Sequence, residues 1–383
     1  MNYTRKLIME NGEEYSGFGF GADCEKVCEI VFNTSMVGYQ EILSDPSYTY
    51  QAVVMTYPLI GNYGMADADY ETETPTIGAL VVREYNDEPS NFRSSKSLGL
   101  VMKEYDIPGI YGIDTRKINR RIRDLGSMKA LITSADTSLE DGLKKIKETE
   151  IPKDAVSKVS RKSIAFYPAM NVDYRKLAGT ADAKTEGMSY PEYFHVVAID
   201  CGMKQNIVRS MNARGIHVTV VPWNTKPEQI EPLNADGIFV SNGPGDPTDV
   251  PEVIETVREM IGKVPIFGIC LGHQILSLAY GAKTYKLKFG HRGGNHPVKN
   301  LKTNRIEVTS QNHSYAVDAA SIENTRLTAT HINILDNTIE GVECAEDLAF
   351  SVQYHPESAP GPQDSTQLFT EFTERMKAFR GRQ

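Results

Sequence analysis

Long apolar stretches are absent from this chain of 383 residues, and so are other features that mark specialised proteins. No apolar run reaches the roughly 18 residues that a membrane-spanning helix needs, and the first residues lack the apolar core of a signal peptide. Cysteine is sparse, with an odd count of 5, which argues against a disulfide framework and suits a reducing compartment. We therefore expect a cytoplasmic protein that does not associate with a membrane.

The chain also has no excess of positive charge. The chain has 41 Lys and Arg residues against 50 Asp and Glu residues, which argues against a general nucleic-acid-binding surface. The motif G-x-x-x-x-G-K-[ST] does not occur, so we expect no phosphate-binding loop for ATP. Cys24 and Cys28 have no second cysteine or histidine pair near them in the sequence, so we also expect no metal site on this chain.

The sequence pattern divides the chain into two domains and a connection. Residues 1–151 are rich in β-branched and aromatic segments, such as 25–34 and 50–58, and we predict a strand-rich α+β domain there. Residues 152–192 are polar and weakly patterned, which is typical of a connecting segment. Over residues 193–383 apolar strands alternate with helical patterns, which predicts an α/β domain with a doubly wound, mostly parallel sheet.

A cysteine stands between a predicted strand and a predicted helix of the second domain. Residues 264–269 are apolar, Cys270 follows at once, and a helical pattern begins at Gly272. The order G-x-C-x-G is typical of a nucleophile elbow, in which a strained turn exposes the reactive atom. The N-terminus of a helix also stabilises a thiolate. We predict that Cys270 is a nucleophile; the alternative is a small buried apolar residue.

A thiol nucleophile needs a base, a group that orients the base, and donors for the developing oxyanion. His355 follows an apolar strand pattern and Glu357 lies two residues further on, so they are candidates for the base and the orienting group. The backbone N–H of Leu271 is one candidate donor, and the glycine-rich segment 241–247 is a candidate for the second. A structural histidine and an ordinary turn are the alternatives for these two segments.

Several motifs together give a specific resemblance. The sequences GICLGHQ around Cys270, SNGPGDP around Gly243 and VQYHPE around His355 resemble the class I, or triad, glutamine amidotransferase family. In the first half, VFNTSMVGYQEILSDPSYTYQ and GIYGIDTRKINRRIRDLGS are similar to the domain that precedes the amidotransferase in the small, glutamine-hydrolysing subunits of carbamoyl-phosphate synthetase. The resemblance to this family covers essentially the whole chain.

The resemblance implies a role for each matching position. Cys270 would attack the side-chain amide of L-glutamine, His355 would protonate the departing ammonia and then activate water, and Glu357 would orient His355. Ser314 and Tyr315 stand where the family often has Gly-Phe, and a required positive φ would strain Ser314. Ser47 comes from the first domain, which would place the site at the domain junction. The residues implied in glutamine binding are Ser47, Gly243, Gly245, Leu271, Gln274, Asn312, Ser314 and Tyr315.

The resemblance also implies a partner subunit, which would carry out the ATP-dependent steps while this chain hydrolyses glutamine. Ammonia would pass to a large synthetase subunit, in a heterodimer or a higher assembly, where bicarbonate and ATP yield carbamoyl phosphate for arginine and pyrimidine synthesis. ATP and a divalent metal are expected on that subunit, and no cofactor on this chain. The alternatives are the glutaminase subunit of a different synthase, a free-standing hydrolase and an inactive scaffold. The basic residues between Arg116 and Arg123 are either a solvated helix face or part of the interface with the large subunit.

Overall fold

The computed structural model describes residues 2–170 and 193–382, which form two units. The larger part of the predicted connecting segment, residues 171–192, lies outside the described residues. Within the described part, no helix is both long enough and apolar enough to cross a membrane.

The first unit is built around a barrel. Its strands are β1 (Arg5–Met9), β2 (Glu14–Gly21), β3 (Lys26–Asn33), β4 (Gln51–Met55), β5 (Leu59–Ile60), β6 (Ala79–Val81), β7 (Glu84–Tyr85), β8 (Pro108–Tyr111) and β9 (Met128–Ser134). Seven of them close in the order β1-β2-β8-β6-β4-β3-β9, while β5 and β7 pair separately. Successive side chains of a strand point to opposite sides, so Ile30 packs in one apolar cluster and Val31 in another.

Helices pack around this barrel. They are α1 (Tyr39–Ser44), α2 (Leu98–Glu104), α3 (Thr115–Leu125), α4 (Leu139–Glu148) and, beyond the barrel, α5 (Ala155–Val159). Helix α3 contains the basic stretch of residues 116–123, and the spacing of its apolar residues explains which face of the helix is buried. Ile118 and Ile122 lie one turn apart and are buried, whereas the basic side chains of 116–123 are exposed. In this single chain the basic residues therefore form a solvated helix face.

The second unit is a large sheet covered by helices. Its strands are β10 (Ala165–Tyr167), β11 (Phe194–Asp200), β12 (Ile216–Pro222), β13 (Gly237–Val240), β14 (Ile266–Ile269), β15 (Thr284–Asn300), β16 (Ile306–Val317), β17 (Thr328–Asn333), β18 (Ile339–Cys344) and β19 (Ala349–Val352). Its helices are α6 (Gln205–Asn212), α7 (Pro227–Ile230), α8 (Pro251–Met260), α9 (Leu271–Ala279), α10 (Ala319–Ile322) and α11 (Gln367–Arg380). Val196 and Ala198 pack with α6 and α11, whereas Val197 and Ile199 pack with α7, α8 and α9.

The strand order corrects part of the sequence-based expectation. The ten strands lie in the order β10-β12-β11-β13-β14-β19-β18-β16-β15-β17. The α/β class is as expected, but only β12, β11, β13, β14 and β19 are mutually parallel, and the remaining pairings are antiparallel. The expectation of a mostly parallel sheet was wrong for half of the strands. The long strands β15 and β16 are connected by a short turn, which requires no crossover helix and so leaves no α/β alternation in the sequence.

Candidate active site

The nucleophile candidate lies at the end of a central strand. Cys270 follows β14 directly and precedes α9, and its backbone has φ 55° and ψ −103°. A conformation of this kind costs about 1–3 kcal/mol and persists only where the surroundings enforce it. Close packing enforces it here, because a Cβ atom on Gly272 would lie 2.1 Å from the carbonyl oxygen of Val240, and one on Gly268 would lie 2.6 Å from that of Gly272. The cysteine thus has the strained turn of a nucleophile elbow.

The base candidate and its orienting carboxylate are in contact. His355 Nδ1 lies 2.7 Å from Oε1 of Glu357, and both side chains are buried. Burial alone would lower the pKa of His355, but the charges of Glu357 and Cys270 raise it to about 10. The imidazole Nε2 makes no hydrogen bond with the described residues. The electrostatic environment therefore favours an imidazolium at His355.

A buried lysine holds the carboxylate, and the sequence analysis did not identify it. The Nζ atom of Lys204 lies 3.0 Å from Glu357 Oε1 and 2.6 Å from the carbonyl oxygen of Ser358. The Lys204 side chain is 3% exposed. Burial would raise the pKa of Glu357, but Lys204 and then His355 lower it to about 2. Glu357 is therefore ionised at neutral pH and keeps the Nδ1 nitrogen of His355 protonated.

A cavity of about 370 Å³ opens above Cys270. All eight residues that the resemblance implied in glutamine binding line it, from Ser47 in the barrel to Tyr315 in β16. The barrel and the sheet are linked at this cavity. Asn242 donates a hydrogen bond of 3.1 Å to Ser47 Oγ, and Asn312 donates one of 3.0 Å to the Asp45 carboxylate. The cavity therefore lies at the junction of the two units.

The two positions that differ from the usual family pattern fit their strand. Ser314 and Tyr315 belong to β16, and neither has a positive φ, so Ser314 is not strained. The carbonyl oxygen of Tyr315 accepts a hydrogen bond of 2.8 Å from Gln274 Nε2. The Ser314 hydroxyl accepts a hydrogen bond from Arg292, a buried cation at the cavity wall that the sequence analysis also missed.

Two residues of the cavity wall have candidate backbone donors. Leu271 is the first residue of α9, so its N–H has no acceptor within the helix. Gly245 lies in the turn after β13 and has φ 91°, which favours glycine and lets the backbone approach a ligand closely. Both residues line the cavity, and their N–H groups are the candidate donors of an oxyanion hole.

One cluster in the described part of the chain has the residue types of a metal site. Ligand atoms of His291, His313 and Glu340 lie within 4.8 Å of one another. His291 Nε2, however, lies 2.8 Å from an Asp336 oxygen, and its Nδ1 lies 3.5 Å from Glu340 Oε1. Burial would lower the pKa of His291, but these two carboxylates raise it to about 9. Two carboxylates therefore flank the His291 ring in this cluster.

The buried histidine of α9, the helix that follows Cys270, gives a prediction about stability in acid. His273 is fully buried in α9, and burial lowers its pKa to about 3. The unfolded chain takes up this proton below its normal pKa of 6.5 and the folded chain does not, so stability present above pH 6.5 is lost as the pH falls towards 3. Between pH 7 and pH 5 this group should lower the free energy of unfolding by about 2 kcal/mol. Urea unfolding of the wild type and of His273→Gln at both pH values tests this, and an equal loss in both proteins would contradict it.

Comparisons with known proteins agree over both units. The family model "Carbamoyl-phosphate synthase small chain, CPSase domain" matches residues 7–132, and "Glutamine amidotransferase class-I" matches residues 197–375. The carbamoyl phosphate synthase small chain of Fusobacterium nucleatum is 50% identical over 370 residues, covering 97% of each chain. The pyrimidine-specific small chain of Bacillus subtilis is 48% identical over 373 residues, covering 97% of this chain and 96% of that one. A solved glutamine amidotransferase from Thermotoga maritima is 16% identical, with a TM-score of 0.37, and covers 49% of this chain and 86% of that chain.

Proposed function

This chain belongs to the family of carbamoyl phosphate synthase small chains, and from that premise we propose how its residues carry out the reaction. It is the glutamine-hydrolysing subunit of a glutamine-dependent carbamoyl-phosphate synthase. We assign the catalytic roles to Cys270, His355 and Glu357. The observation that carries this assignment is the strained Cys270 at the wall of the cavity, with the buried His355–Glu357 pair interacting with it.

In the first half of the reaction the Cys270 thiolate attacks the side-chain carbonyl carbon of glutamine. The oxyanion that develops accepts hydrogen bonds from the N–H groups of Leu271 and Gly245. His355 gives its proton to the departing nitrogen, so that the C–N bond breaks and ammonia leaves a γ-glutamyl thioester on the sulfur. Glu357 stabilises the imidazolium before this transfer and holds the tautomer after it.

In the second half a water molecule attacks the thioester. Neutral His355 takes a proton from that water, the C–S bond breaks, and glutamate leaves. The proton then stays on His355 and the thiolate is restored. No step needs a cofactor, so we propose that the chain hydrolyses glutamine without one.

The remaining residues of the cavity are proposed to bind glutamine itself. Gln274 is fixed by the carbonyl oxygen of Tyr315 and by Gln353, at 2.8 and 3.0 Å. Ser47 and Asn312 are fixed across the unit junction by Asn242 and Asp45. Residues that are held in this way lose little conformational freedom on binding, which favours a single orientation of the substrate. The proposed set also contains Gly243, Ser314 and Tyr315.

As the small chain of a two-subunit synthase, this protein has a large-subunit partner. We propose a heterodimer in which the large subunit holds ATP and a divalent metal and receives ammonia from this chain. We propose that the carbamoyl phosphate serves arginine synthesis, pyrimidine synthesis or both; the Bacillus subtilis relative is named as pyrimidine-specific. A cytoplasmic location is supported by the five cysteines, none of which is in a disulfide and one of which is the proposed nucleophile.

The finer features of the fold are also proposals. We infer that the parallel half of the large sheet is doubly wound, because helices cover both of its faces. We keep the domain boundaries of 1–151, 152–192 and 193–383. Helix α5 lies in the connecting segment, and β10 of the same segment pairs with β12 as the edge strand of the large sheet.

The proposed coupling is tested by measuring ammonia release from glutamine by this chain, alone and with the large subunit supplied with bicarbonate and ATP. We expect weak release alone and strong stimulation by the partner and its substrates, because uncoupled hydrolysis would waste glutamine. Full activity of the isolated chain, unchanged by the partner, would instead indicate a free-standing hydrolase.

A further inference from the structure

The first turn of helix α6 has no side-chain cap of its own. Its N-cap residue, Lys204, makes no capping hydrogen bond with its side chain. Two N–H groups of this turn are instead satisfied by Glu71, which belongs to the barrel unit. Gln205 N–H donates to the Glu71 carbonyl oxygen at 2.8 Å, and Asn206 N–H donates to the Glu71 carboxylate at 3.1 Å. A residue of one unit thus caps a helix of the other.

The same turn holds the orienting carboxylate of the triad. Lys204 binds the Glu357 side chain, and the side-chain Nδ2 of Asn206 donates to the Glu357 backbone carbonyl oxygen at 2.5 Å. Contacts from consecutive parts of one turn therefore fix both the backbone and the side chain of Glu357. Any shift of this turn would move the carboxylate relative to His355.

Glu71 is itself firmly placed. Its side chain is 2% exposed, and its N–H donates to the Ser44 hydroxyl at 3.0 Å. Ser44 ends α1, and the chain continues directly through Asp45 to Ser47, which lines the glutamine cavity. A hydrogen bond therefore joins Glu71, which caps α6, to the segment 44–47 that leads to the cavity.

The charges indicate that Lys204 compensates both Glu71 and Glu357. Burial raises the pKa of Glu71 to about 7, and Lys204 acts in the opposite direction. Arg209 approaches the carboxylate only to 4.0 Å and is partly exposed. Lys204 is thus the main buried cation for two carboxylates, Glu71 on the barrel side and Glu357 on the catalytic side.

We propose that Glu71 is a positioning residue for glutamine hydrolysis, which closes the first turn of α6 and thereby fixes the carboxylate that orients His355. The proposal rests on the catalytic roles assigned above. It makes the geometry of the triad depend on the docking of the barrel unit, although Glu71 touches neither the glutamine cavity nor the thiol.

The test compares Glu71→Ala and Glu71→Gln in the full chain assembled with the large subunit. In Glu71→Ala, kcat with glutamine should fall by about 10- to 100-fold, because the Asn206 N–H loses its acceptor in a buried turn. Its KM for glutamine should change by less than about threefold, because Glu71 does not line the cavity. Glu71→Gln keeps an acceptor for the Asn206 N–H and should recover most of the loss. Synthesis from added ammonium should be unchanged in both variants.

Two further variants complete the test. Glu73→Ala removes an exposed carboxylate two residues away and should behave as the wild type. Cys270→Ser tests the triad itself, so that a failure of the assigned roles is distinguished from a failure of the Glu71 proposal. The proposal is overturned if Glu71→Ala keeps its kcat with glutamine, if glutamine and ammonium use fall in parallel, or if Glu71→Gln is no better than Glu71→Ala.

Discussion

Replacing Cys270 with serine is expected to abolish carbamoyl phosphate synthesis from glutamine and to leave synthesis from added ammonium intact. A serine hydroxyl is a much weaker nucleophile than a thiol and offers no sulfur, so the thioester cannot form. Removal of a catalytic nucleophile of this kind lowers kcat by more than about 1,000-fold. Ammonium bypasses this chain and reacts on the large subunit. The measurement is the rate of carbamoyl phosphate formation with each nitrogen donor.

The matched control is Cys24→Ser. Cys24 lies between β2 and β3 of the barrel, away from the cavity, and its replacement should leave both rates unchanged. Retained glutamine use in Cys270→Ser would contradict the catalytic assignment. A loss of ammonium use in the same variant would indicate that the serine disturbs the fold or the assembly, since the thiol has no part in that reaction.

The residues brought together at the candidate site were predictable where the signal was local. The strand, the cysteine and the helix follow one another in the sequence, and the glycines on either side of Cys270 are the ones that the close packing of the elbow demands. His355 and Glu357 are two residues apart at the end of a strand, so their contact also has a local pattern. The glutamine-binding set came from the family resemblance, and the cavity contains all of it.

The rest depends on contacts that no local pattern encodes. Lys204 reaches a carboxylate 153 positions further along the chain, and a single lysine between a strand and a helix is typical of an exposed residue. Asp45 and Asn312 meet only because the barrel docks on the sheet. The antiparallel half of the sheet was missed for a related reason, since the long strands β15 and β16 have irregular burial instead of strict alternation.

Replacing His355 with asparagine is the second change with a very large expected effect. Asparagine can neither protonate the departing ammonia nor take a proton from water, so both halves of the reaction lose their proton carrier. General acid–base catalysis is worth about 100- to 10,000-fold, and kcat with glutamine should fall within or beyond that range. Synthesis from ammonium should be unchanged. The measurement is again the rate with each nitrogen donor, together with mass spectrometry of the intact chain.

The mass spectrum separates the two roles of His355. The leaving nitrogen can take its proton from solvent more easily than a neutral water can attack the thioester without a base, so we expect residual turnover to accumulate the γ-glutamyl adduct on Cys270. Glu357 and Lys204 remain paired in this variant, which keeps the buried charge compensated and the fold intact. His217→Asn, at a position outside the cavity, is the matched control. Wild-type glutamine use by His355→Asn would show that another group is the base.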